Sequence, residues 1–244
     1  MRSNRLAPWW FQTLFGGKRA RSRVLECAFV LPNEDGAAPS PNLLSLSITP
    51  ERFEQMAHLT IRGAVPEDAN QLLELIEIAS GGFVASLFAK TVPTGMSVDD
   101  YIIARMGIPD TGLSYAKLWV CEIGGSIAGF IALDQTPAEV EPIDPEMPAM
   151  FRPLTELENQ APGCCLINLL ATFPEFRGQK AGLALMEFAE ARRGKNGLCL
   201  TVGDTNVAAQ EFYRHLGYHI TARRPVVRED WDAPYSEWLL MVKA

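Results

Sequence analysis

Leu170-Ala171-Thr172-Phe173-Pro174-Glu175-Phe176-Arg177-Gly178-Gln179-Lys180-Ala181-Gly182 joins an apolar run to a helix-forming one. Upstream, Cys165 to Thr172 is almost continuously apolar, the pattern of a strand covered on both faces. Downstream, Gly182 to Arg192 places Leu185, Phe188 and Ala189 on one side of a helix. A glycine-bearing turn at a helix start exposes backbone N–H groups, the helix dipole favours negative charge there, and Arg177 adds a fixed cation. The stretch reads as an anion cradle between strand and helix, sized for a pyrophosphate.

Working outward, Leu59 to Arg62 reads as a strand, and Pro66, Glu67 and Asp68 open a helix whose apolar face is Leu72, Leu73, Ile76 and Ala79. Gly81 and Gly82 break it, and a second amphipathic helix is predicted over Val98 to Met106. Leu118–Ile123 and Ser126–Leu133, separated by Gly124-Gly125, form the clearest hairpin signal in the chain. Asp134 to Gly163 is proline-rich and acidic, with Glu139, Glu141, Asp144, Glu146, Glu156 and Glu158, and reads as an insertion with one short helix. Beyond the central stretch come a strand at Leu198–Val202, a helix capped by Asn206 and closed by Gly217, and strands near Tyr218–Ala222 and Trp238–Val242.

The expected fold class is α/β: a single domain over residues 58–244, with a central mixed, largely antiparallel sheet and flanking helices in the order β-α-α-β-β-β-α-β-α-β-β. Residues 1–57 are expected to be a variable extension without fixed order. Its first 23 residues carry six basic side chains and no acid, superficially like an organelle presequence, and Met56 is an alternative start.

With 244 residues, 48% of them hydrophobic, and a net charge of -7, the chain has material for a large core and no broad cationic surface for phosphate-backbone contacts. Nucleic acid is not expected as a general partner. The negative charge sits beyond residue 56, where 15 basic residues face 24 acids, and a cationic acceptor would suit it. Five cysteines without Cys-x-x-Cys spacing and three histidines indicate neither a disulfide framework nor a metal site. No apolar run is long enough to span a bilayer, so no integral membrane association is expected and the expected location is the cytoplasm.

Neither Gly-x-Gly-x-x-Gly nor Gly-x4-Gly-Lys-Ser/Thr is present, which disfavours a dinucleotide or a nucleoside triphosphate in the cradle. An acyl coenzyme A is the remaining common ligand. Arg177 through Gly182 fits Arg/Gln-x-x-Gly-x-Gly/Ala, and Asn206, Ala209, Phe212, Tyr213, Gly217 and Tyr218 fit a second pattern, Asn-x-x-Ala-x-x-Phe-Tyr followed by Gly-Phe or Gly-Tyr. On both motifs, in order, the sequence resembles the GNAT superfamily of acetyl-CoA-dependent N-acetyltransferases. Lys180 departs from the pattern, standing where the signature prefers glycine.

The resemblance implies that Leu170, Ala171 and Thr172 offer main chain to the pantetheine arm of acetyl-CoA, where the strand is splayed from its neighbour. It also implies that Arg177, Gly178, Gln179, Lys180, Ala181 and Gly182 hold the diphosphate. Lys180 then either pairs its ammonium with a phosphate or points to solvent from the first helical turn; a positive φ there would cost a lysine stability. Asn206 is a helix cap that, by the resemblance, also orients the cofactor arm. The implied reaction is attack of a neutral amine, from a small molecule or peptide, on the thioester.

Tyr213 is the candidate acid for the departing thiolate, with core packing as its alternative role. Glu122 is a candidate base, with a solvated strand residue as the alternative; a water relay is the default because Asn168, where some relatives carry a glutamate, cannot act as a base. A noncatalytic acyl-CoA-binding sensor is the rival function.

Overall fold

The computed structural model describes residues 59–229 and 231–244, so the expectations for the N-terminal extension fall outside the described residues. Seven strands form one sheet: β1 (Leu59–Gly63), β2 (Leu118–Ile123), β3 (Ser126–Gln135), β4 (Cys165–Thr172), β5 (Leu198–Gly203), β6 (His219–Pro225) and β7 (Glu237–Lys243). Their spatial order is β1-β2-β3-β4-β5-β7-β6, and every neighbouring pair is antiparallel except β4–β5. Among the described residues the α-helices are α1 (Ala69–Ser80), α2 (Phe83–Ala89), α3 (Val98–Met106), α4 (Arg152–Glu158), α5 (Ala181–Glu190) and α6 (Val207–His215).

The sheet separates two apolar cores. On one face α1, α2, α3 and α4 bury Leu72, Leu75, Phe88, Ile102 and Leu157 against Val120, Phe130 and Leu240. On the other, α5 and α6 bury Ala181, Leu185, Met186 and Tyr213 against Ile131, Ile167, Leu200 and Met241. The alternation of faces along each strand produces this division from the sequence. Among the described residues, no single helix is long and apolar enough to cross a membrane.

Helix starts follow the expected chemistry. Pro66 opens a short 3-10 turn ahead of α1, the Ser97 hydroxyl accepts the Asp100 amide at 3.0 Å to start α3, and the Asn206 amide oxygen accepts the Ala209 amide at 3.2 Å to start α6. The structure corrects the reading in two places. Three helices rather than two separate β1 from β2: Gly81 and Gly82, both at positive φ (55° and 82°), turn the chain straight into α2, which buries Val84, Leu87 and Phe88. Strand β3 also runs on to Gln135, so Asp134 belongs to the sheet and not to the insertion.

Two features of β4 prepare the site. Its register with β3 passes from Ala132↔Leu169 to Leu133↔Ile167, leaving Asn168 as a bulge. Its parallel ladder with β5 holds only the pairs Cys165↔Leu198, Leu166↔Cys199 and Ile167↔Leu200. From Asn168 to Thr172 the edge of β4 facing β5 has no ladder partner, and the two strands part there like a fork.

Candidate active site

The cradle stretch leaves the open end of that fork. After Thr172 the chain makes a 3-10 turn at Pro174–Phe176, passes Gly178 at φ 76°, and enters α5 through Lys180 at φ 70°, ψ 4°. Lys180 is therefore the residue ahead of the helix, in the left-handed region, and not a member of its first turn. Arg177, Gly178 and Gln179 are exposed, Ala181 is buried and Gly182 half-buried. The Gln179 side chain donates to the Glu175 carbonyl at 2.9 Å and braces the bend. No side chain caps α5, so its first amides face outward without an intrahelical acceptor.

A left-handed lysine costs about 1–2 kcal/mol relative to glycine, partly offset by the larger unfolded-state entropy of glycine. Lys180→Gly is expected to stabilise the protein by about 1 kcal/mol, read as a higher midpoint in urea or heat.

Where β4 and β5 part, a cavity of about 170 Å³ opens through the sheet. Its wall takes Leu170 and Asn168 from β4, Thr201 and Val202 from β5, and Asn206, Ala209 and Tyr213 from the α6 side. From the opposite face come Ser80, Phe83, Phe151, Glu158 and Trp238. The cavity thus links the two faces of the sheet at the fork.

Tyr213 is 8% exposed and packs on Phe212 and Tyr218, with ring centroids 5.4 and 5.8 Å away. Burial pushes its phenol well above the ordinary range, so it stays protonated and available as a donor. Glu122 is placed elsewhere. It lies on β2 opposite Thr60, its carboxylate is bound by the Arg62 guanidinium at 2.7–2.8 Å, and it does not line the cavity. Arg62 is shared with buried Asp68 at 2.7 Å, whose carboxyl that guanidinium holds below its usual range.

Of the six acids singled out in the insertion, Glu158 alone reaches the cavity. Glu139, Glu141 and Glu146 are exposed, and Glu156 is bound by Arg224. Glu158 is 6% exposed and its carboxyl is pushed up to about 8, chiefly by burial and further by the charge of Asp134. Charge and composition do not separate it from the other acids of the insertion. The available signal was its spacing: Leu154, Leu157 and Glu158 share the buried side of α4.

Above the cavity stands an aromatic cluster. Phe83 meets Phe151 and Trp231 edge-on at 5.8 and 5.0 Å, and Trp231 stacks on Trp238 at 5.9 Å. The Trp231 indole donates to the Gly81 carbonyl at 3.1 Å, tying the segment before β7 to the α1–α2 turn.

Residues 114–220 match the family model described as the acetyltransferase (GNAT) domain. No curated protein matches the chain. Among solved structures, an N-acetyltransferase from Staphylococcus aureus Mu50 superposes with a TM-score of 0.51 at 18% identity, covering 75% of this chain and 100% of that one. A protein from Pyrococcus horikoshii OT3 superposes at 0.50 with 16% identity, covering 76% of this chain and 97% of that one. These likenesses establish a shared fold.

Proposed function

We propose that this chain is an acyltransferase of the GNAT superfamily, that acetyl-CoA is its donor, and that it moves the acetyl group to a primary amine of a small molecule or peptide by direct attack in a ternary complex. The observation that carries the proposal is the fork: the unpaired edge of β4 beyond Ile167, continued at once by an exposed left-handed bend at the start of α5. In this reading residues 58–244 form the catalytic unit. The main chain of Leu170, Ala171 and Thr172 pairs with the pantetheine arm as a further strand would, and a strand amide polarises the thioester carbonyl.

The amides from Arg177 to Gly182, with the Arg177 cation, hold the diphosphate. Lys180, a half-buried residue, lies within that stretch. Asn206 caps α6 and also borders the cavity, which supports its second role beside the cofactor arm. Tyr213 borders the cavity from the same side and supplies a proton to the departing thiolate.

A ligand that binds only the folded state raises its stability by about 2.7 kcal/mol at a hundred times its dissociation constant. Titrating acetyl-CoA is therefore expected to raise the melting temperature by about 5 °C or more. An unchanged melting temperature at millimolar acetyl-CoA refutes the proposal. Binding without release of free CoA in the presence of amines points to a sensor in place of an enzyme.

A further inference from the structure

We propose that Glu158 is the general base of the reaction, taking the proton from the attacking nitrogen of a primary amine carried on an apolar, aromatic-sized body. The assignment rests on the acetyl-transfer reading and adds the acceptor side of the site to it.

Glu158 lies within the cavity wall on the face of the sheet opposite Tyr213, and the fork lies between them. A thioester held along the β4 edge would have the tyrosine on one side and the carboxylate on the other. Among the described residues Glu158 has no side-chain hydrogen bond or ion pair, and no lysine, arginine or histidine lines the cavity. The neighbouring Ser80 hydroxyl, 7% exposed, is likewise without a partner.

Two buried polar groups without partners on the same side of the cavity mark where a polar guest atom belongs. The aromatic side chains beside them, Phe83, Phe151, Tyr235 and Trp238, suit an apolar body behind the amine. Asn168, which bulges from β4 into the same cavity, has no basic atom, so the carboxylate comes from the insertion helix instead.

The charged and titratable groups around Glu158 leave it as the proton acceptor. Asp134 acts on it from β3 and is held by Lys117 at 2.6 Å. Cys199 faces it from β5 as a thiol, Tyr235 borders the cavity before β7, and Arg224 of β6 is occupied by Glu156. A carboxyl raised to about 8 is a far stronger base than a solvated one and is near the optimum for work around neutral pH.

The proton count closes. The nitrogen lone pair of R–NH2 attacks the thioester carbon, the C–N bond forms and the C–S bond breaks. The electron pair leaves with sulfur, which takes the Tyr213 phenolic proton, while the surplus proton on nitrogen passes to Glu158. Proton return from Glu158 to the phenolate by exchange with solvent then resets both groups.

The test uses the full chain with acetyl-CoA and 2-phenylethylamine, reading free CoA and melting temperature. Glu158→Gln is expected to lower kcat by roughly 100-fold, within the usual range for general-base catalysis, and to remove the acidic limb near pH 8, while Glu158→Asp keeps the limb at an intermediate rate. A raised folded-state pKa means stability is lost as pH climbs from the unfolded value, about 4.3, through about 8, so Glu158→Gln is expected to melt higher than wild type at pH 9.

A Gln variant that keeps its rate and its limb overturns the assignment, and one that melts lower at pH 9 overturns it by making the carboxylate a structural group. A wild type stabilised by acetyl-CoA that releases CoA with other primary amines but none with 2-phenylethylamine overturns this inference alone. A wild type indifferent to acetyl-CoA overturns the acetyl-transfer reading together with it.

Discussion

Replacing Tyr213 with phenylalanine is expected to lower kcat for CoA release by about 100-fold, a typical loss for a positioned general acid. The phenol is buried beside the cavity and pushed upward in pKa, so it holds its proton until a stronger base than water forms next to it. A thiolate leaving an apolar cavity is such a base, since no bulk solvent is there to stabilise its charge. Phenylalanine keeps the ring contacts with Phe212 and Tyr218, so melting temperature and the acetyl-CoA-induced rise are both expected to stay close to wild type. A variant with wild-type kcat would leave Tyr213 with packing as its entire role.

Gly129→Ala is expected to lower stability by about 3 kcal/mol, or the melting temperature by roughly 6–10 °C. Gly129 sits in β3 directly across from Thr172. A methyl group there would lie 2.5 Å from the Ala171 carbonyl oxygen and 2.9 Å from Cγ2 of Thr172. Main chain cannot rotate away as a side chain does, so the strain falls on the last residues of β4. Those are the residues proposed to pair with pantetheine, and weaker acetyl-CoA binding is expected alongside the lower melting point. Calorimetry on the variant well below its melting temperature separates the two effects; unchanged affinity would place the cofactor away from that stretch.

What the sequence made legible was local. Gly124-Gly125 between two β-rich runs has one economical solution, a hairpin, and the structure has it. Val98 to Met106 carries Tyr101, Ile102 and Arg105 at helical spacing, and α3 has those bounds. Helix α2 was missed because seven residues after a glycine pair hold too few turns to display a period, and its identity as a helix depends on burying Val84, Leu87 and Phe88 against neighbours distant in sequence.

The site residues divide along the same line. The anion cradle is a contiguous motif, and a lysine where glycine is preferred marks in the sequence a position at which a positive φ costs stability. Glu122 and Glu158 could not be ranked in that way, because each role is set by what arrives from elsewhere: Arg62 reaches Glu122, while α4 folds Glu158 down onto the fork. Charge pattern along the chain treats both as acids of equal standing, and burial distinguishes them.

Cys121, Cys164, Cys165 and Cys199 are all unpaired and buried, and burial pushes every one of these thiols up, Cys121 and Cys165 to about 11. Disulfide exchange begins with a thiolate, so sulfurs that keep their hydrogens are poor partners for it. The reaction proposed for this protein liberates a free thiol at every turnover. These four positions are insulated from capture by their own product, and a chromogenic disulfide reagent added to the native protein would register the liberated coenzyme while the interior stayed silent.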